Sequence, residues 1–139
     1  MLTEKLIQIQ KLLKAPKNQF NSFGKYNYRN CEDILEALKP LLDGCSLTIS
    51  DEIVTIGNRY YVKATVKFFD EKDSLIVSAY ARESESKKGM DDSQVTGATS
   101  SYARKYALNG MFLIDDTKDA DSQKPETQKD DLPEFQPEE

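Results

Sequence analysis

The sequence predicts an α+β domain: a three-stranded antiparallel β-meander packed by helices, followed by a disordered acidic C-terminal tail. Three observations lead there. Two tight-turn signals, "IGNR" at 56–59 and "DEKD" at 70–73, give strand registers that agree with each other. Apolar residues recur at helical spacing in two stretches before the strands, and a third helix-like segment follows them. Beyond residue 116 the chain turns acidic and proline-rich with few apolar residues. The expected division is a domain over 1–116 and a tail over 117–139.

The chain has 139 residues, room for one core. Hydrophobic content of 38% and charged content of 31% fit a globular class. No apolar run approaches the roughly 20 residues that cross a bilayer, so no membrane role is expected. The opening "MLTEKLIQIQKLLK" has no continuous apolar core or small-residue cleavage site, and does not read as a signal peptide. Cys31 and Cys45 match no metal-ligand spacing and are expected as reduced thiols. The absence of histidine removes the commonest general base and metal ligand.

The net charge of −5 is unevenly spread. Residues 115–139 hold ten acids and three lysines, so the remaining 114 carry 16 basic and 14 acidic side chains. A mildly basic domain beside an acidic tail raises the case for a nucleic-acid partner. On charge alone, a near-neutral domain with a solubilising tail explains it better.

Leu2, Leu6, Ile9 and Leu13 make the face of a first amphipathic helix ending before Pro16. Residues 15–29 read as an irregular connection rich in Asn, Lys and aromatics. Asn30, with Asp33 three residues on, caps a second helix whose apolar face is Ile34, Leu35, Leu38, Leu41 and Leu42. Pro40 kinks it or restarts its last turn, and Gly44 suits the position after its end.

A two-residue loop at Gly57-Asn58 pairs Leu47 with Phe68, Ile49 with Val66 and Ile53 with Val62. The second turn pairs Phe68 with Leu75, Val66 with Val77 and Ala64 with Ala79. Both registers give one apolar face. The other carries Tyr61, Lys63, Thr65 and Lys67, with Tyr61 beside Arg82 and Lys63 beside Tyr80, and Glu52 near its centre. Cations interleaved with rings suit a single-strand surface. Cross-strand cation–π pairing without a ligand is the alternative.

Asp91 or Asp92, with Gln94 in reach, caps the third helix. At 100° per residue, 94–111 separates into three stripes. Val95, Ala98, Tyr102 and Tyr106 form an aromatic stripe expected to pack on the sheet. Thr96, Ser100, Ala103, Ala107 and Gly110 form a nearly bare one, open to a close-approaching backbone. Gln94, Ser101, Arg104 and Lys105 offer donors suited to phosphate oxygens.

The stretches "YNYRNCEDILEALKPLL" at 26–42 and "GMDDSQVTGATSSYARKYALNGMFLIDD" at 89–116, with the Tyr-Tyr strand at 60–68 between them, resemble the ERF (essential recombination function) family of phage single-strand annealing proteins. The resemblance covers about 26–116. It implies a compact β-β-β-α annealing-protein core. It also implies a protein that coats single-stranded DNA, forms rings or filaments, and anneals complementary strands without ATP, in the cytoplasm of a bacterial host. The family's stretch falls on Gln94, Gly97, Ser100, Ser101, Tyr102, Ala103, Arg104, Tyr106, Ala107 and Leu108, without saying which touch DNA.

The candidate DNA-binding set is Arg104, Lys105, Ser101, Gln94, Lys87, Lys88, Arg82 and Lys63 for phosphates, and Tyr61, Tyr80 and Tyr28 for bases, with Arg29 beside Tyr28 and Tyr26 a further ring. No metal or cofactor is expected. A nuclease is a second class, with Asp91-Asp92 and Asp115-Asp116 as carboxylate pairs for Mg²⁺. Both pairs have simpler explanations, as a helix cap and as the start of the acidic tail. No G-x-x-x-x-G-K-[ST] loop is present for ATP. A third class is a protein-interaction module: Leu132 and Phe135 in the tail would dock a host single-strand-binding partner, or the tail would cover the basic face. An inert, solvated tail is the simpler account.

Overall fold

The computed structural model describes residues 1–85 and 91–114. Lys87, Lys88 and the tail over 117–139 lie outside the described residues. The elements run α1 (Leu2–Leu12), β1 (Gln19–Asn21), β2 (Tyr26–Tyr28), α2 (Cys31–Leu38), a 3₁₀ turn (Lys39–Leu41), β3 (Ser46–Ile56), β4 (Arg59–Phe69), β5 (Ser74–Arg82) and α3 (Asp92–Phe112). The α+β class holds.

α1 buries Leu2 and Ile9, with Leu6 and Leu13 against the same core. α2 begins with a reciprocal cap: Asn30 Oδ1 accepts from the Asp33 N–H and Asp33 Oδ2 from the Asn30 N–H, each 2.9 Å. Two otherwise orphaned donors are satisfied, a device worth about 1 kcal/mol. Pro40 lacks the N–H to continue an α-helix, and the chain tightens into the 3₁₀ turn instead. Asp43 and Gly44 then reverse it through positive φ of 46° and 84°.

β3, β4 and β5 form an antiparallel sheet in that order. Its registers are those the turns predict: Leu47 opposes Phe68, Ile53 opposes Val62, and Ala64 opposes Ala79. Gly57 supplies the positive φ, 63°, of the first turn. Asp70 closes the second, its Oδ1 accepting from the N–H groups of Lys72 and Asp73 at 2.9 and 2.8 Å. Val62, Ala64, Val66 and Phe68 of the middle strand are essentially inaccessible. Phe68 meets Phe112 of α3 edge to face, ring centres 5.9 Å apart. Each such ring contributes roughly 2–3 kcal/mol by burial.

Two expectations need correction. Residues 15–29 are not wholly irregular: β1 and β2 pair as a short hairpin, Gln19 opposite Tyr28 and Asn21 opposite Tyr26. Its four-residue loop is held by Asn21, whose side-chain oxygen accepts from the Gly24 N–H at 2.9 Å, and by Lys25 at φ 57°.

The second correction concerns the rotation of α3. The aromatic stripe does not face the sheet: Tyr102 and Tyr106 are 47% and 49% exposed. Of that stripe, Val95 is buried. The bare stripe packs instead, with Ala103 and Ala107 wholly buried and Gly110 so close that a Cβ would lie 3.4 Å from Val77 Cγ1. Small side chains let the helix axis approach β4 and β5. Two tyrosines there would hold the layers apart and bury their hydroxyls.

Candidate functional site

Strand alternation turns Arg59, Tyr61, Lys63, Thr65 and Lys67 of β4 to the outer face of the sheet, away from α3. Tyr61 opposes Arg82, and Lys63 opposes both Tyr80 on β5 and Glu52 on β3. The Lys63 ammonium lies 5.8 Å from the Tyr80 ring centre, and the Lys67 ammonium 5.0 Å from that of Phe69. The Thr65 and Ser78 hydroxyls are 3.0 Å apart. Tyr80 and Arg82 are exposed, and Tyr61 and Lys63 are half-buried. The ring contacts localise the cations without removing them from solvent.

A second set of rings and cations lies on the helix side. The Lys105 ammonium sits 6.0 Å from the Tyr28 ring centre and 5.5 Å from that of Tyr102, and donates to the Arg29 carbonyl at 3.2 Å. Tyr26 lies 6.0 Å beyond Tyr28, and Tyr106 6.2 Å beyond Tyr102 in a stacked pair. The hairpin supplies two of these rings and α3 the other two.

The predicted set therefore divides. Tyr61, Lys63, Tyr80 and Arg82 share the outer sheet face. Tyr28 and Lys105 share the helix side, and the sheet separates the two groups. Other members are engaged in the fold. Gln94 closes the capping box of α3 with Asp91, both bonds near 3 Å. Arg29 is buried, its Nε donating to the Ala15 carbonyl at 2.7 Å. Arg104 is held by Asp51, Nε 3.1 Å from Oδ1 and Nη2 3.2 Å from Oδ2. Ser101 is exposed on α3.

Sequence reasoning missed Asp51, Tyr102 and Tyr106. Asp51 carried a usable signal: the register that opposes it to Ala64 places a carboxylate on the inner face, where a partner must reach it from the helix. Ser100 and Arg104, one turn apart on α3, both do.

At one end of the sheet lies an open cleft of about 450 Å³, lined among others by Arg59, Tyr60, Glu83, Glu85, Asp92 and Thr96. Its polar groups are partly spoken for: Thr96 Oγ1 donates to Glu83 Oε2 at 2.8 Å, and Arg59 Nη2 donates to the Glu83 carbonyl at 3.2 Å. Asp91, one of the carboxylates of the nuclease reading, is the α3 cap. Asp115 and Asp116 lie outside the described residues. Among the described residues no group of three or more Cys, Asp or Glu side chains is placed to hold a metal ion. No helix among them is long and apolar enough to cross a membrane.

A three-stranded meander backed by one long helix, with cations set among rings on two separate faces, defines an α+β domain of the kind the sequence resemblance implied. The chain belongs to the ERF superfamily, which it matches over residues 2–138. It is 64% identical over 129 residues to the Essential recombination function protein of Salmonella phage P22, an alignment covering 93% of this chain and 63% of that relative. The chain thus spans under two-thirds of the relative's length. No solved structure matches it.

Proposed function

We propose that this chain is the DNA-binding part of a phage recombination protein. It holds single-stranded DNA and promotes pairing of complementary strands without ATP. The observation that carries this reading is the outer sheet face, where Lys63 lies against Tyr80 and Tyr61 lies opposite Arg82. Membership of the ERF superfamily and the recombination function in its relative's name point the same way.

On this reading Lys63, Lys67 and Arg82 take phosphates, and Tyr61 and Tyr80 support bases. The base edges stay free to find a complement. Pairing is downhill by about 1.4 kcal/mol per base-pair step, so the protein needs only to extend and align strands. No bond is made or broken by the protein, and it is not an enzyme. Self-assembly into a ring or filament would place many such faces along a strand. A host single-strand-binding protein is a further proposed partner through the acidic tail, and the site of action is the host cytoplasm.

The test is annealing of two complementary labelled oligonucleotides without nucleotide cofactor. The wild-type chain should accelerate it. Lys63→Ala/Arg82→Ala should weaken single-strand binding and make its salt slope shallower by about 1.4, the share of two phosphate contacts. A wild-type chain that neither binds nor accelerates sinks the proposal. Binding without acceleration reduces it to a passive coat. Divalent-dependent cleavage of a labelled strand would favour the nuclease.

A further inference from the structure

We propose that Tyr26, Tyr28, Tyr102 and Tyr106, with Lys105 among them, form a second base-stacking face for single-stranded nucleic acid, on the helix side of the sheet. The inference rests on the single-strand reading above and adds a site to it.

Three observations carry it. The rings form two pairs with Lys105 between them: Tyr26 to Tyr28, Tyr28 to Lys105, Lys105 to Tyr102 and Tyr102 to Tyr106 are each separated by 5.5–6.2 Å. Tyr102 and Tyr106 are half-exposed on a helix that would be better stabilised by alanine at those positions. Cation–π pairing explains why Lys105 lies between two rings.

The third observation is charge. Residues 5–31, which include the hairpin, hold six cations and no carboxylate. Residues 93–114, which include nearly all of α3, hold two cations and no carboxylate. These runs occur in a chain with 24 acids among 139 residues. Lys5 is paired with Asp43, and Arg29 and Arg104 are held within the fold, but neither segment itself carries a group that repels a phosphate. Rings flanked by cations match an unpaired strand, whose bases expose their faces. A duplex, with its bases stacked on each other, offers those rings nothing.

The experiment is titration of a labelled oligothymidine with the full chain, followed by anisotropy at several salt concentrations. Tyr102→Ala/Tyr106→Ala should lose about tenfold or more in affinity while keeping the wild-type salt slope, because it removes stacking and not charge. Its helical circular dichroism should be unchanged. Wild-type affinity in a folded double variant overturns the inference, and the single-strand reading survives if Lys63→Ala/Arg82→Ala still weakens binding. A second measurement needs no variant. Photo-crosslinking of the wild-type chain to a strand carrying 5-iododeoxyuridine should give adducts at Tyr28, Tyr102 or Tyr106. Adducts confined to Tyr61 and Tyr80 overturn the second face and support the first. A wild-type chain that binds no strand removes both readings together.

Discussion

Asp51 on β3 and Arg104 on α3 form a two-pronged ion pair, and Ser100, one turn earlier on α3, donates to the same carboxylate. The pair joins an edge strand to a helix that packs mainly over β4 and β5. Both side chains stay partly exposed, so the contribution is modest, about 1 kcal/mol. Asp51→Ala and Arg104→Ala should each lower the urea midpoint by a similar amount. The double variant should lose little more than the larger single loss, because the two residues act through one contact. Additive losses would show that the pair is incidental.

Opposite effects are expected along α3. A Cβ on Gly97 would meet nothing within 4 Å, so Gly97→Ala should stabilise the chain by about 0.5–1 kcal/mol through helix propensity alone. Asp91→Ala removes the cap and should cost about 1 kcal/mol. Chemical denaturation of both variants checks the signs.

The two thiols should react at different rates. Burial pushes the Cys31 thiol up, and the neighbouring Glu32 carboxylate adds to it. Cys31 is also buried, whereas Cys45 is partly open. A chromogenic disulfide should therefore titrate one thiol rapidly in the native chain and the second only with unfolding. Equal rates would contradict the placement of Cys31 in the core.

Acid should destabilise the fold through two carboxylates. The hydrogen bond from Lys5 holds the Asp43 carboxyl below its ordinary value of 3.8, and the N–H groups of Asp73 and Lys72 do the same for Asp70. A folded value below the unfolded one gives stability above pH 3.8 that disappears as pH falls through the folded value. Lys5, raised by the same bond with Asp43, gives stability that is full below pH 10.5 and fades as pH rises past it. The melting temperature should thus be level near neutrality and fall below about pH 4. Asp43→Asn should remove the alkaline limb and leave only the Asp70 share of the acid one.

Much of this molecule was legible in its sequence because the signals were local. Asn30 with Asp33, and Asp91 with Gln94, mark helix starts within four residues. Gly57-Asn58 and the Asp70 turn determine which residues face each other across three strands, and with them the pairing of Tyr61 with Arg82 and Lys63 with Tyr80. Whatever a turn decides depends on a few bonds between near neighbours, so counting along the chain recovers it.

The rotation of α3 was decided only in three dimensions. Its tyrosines and its small residues mark different stripes, and either could be taken for the packing face. The sheet selects the small one because Ala103, Ala107 and Gly110 let two layers close to contact distance. That choice turns Tyr102 and Tyr106 outward, leaves Lys105 between Tyr102 and the hairpin's Tyr28, and brings Arg104 down to Asp51. Helix rotation depends on how closely two surfaces can approach, and no spacing along a single chain states that distance.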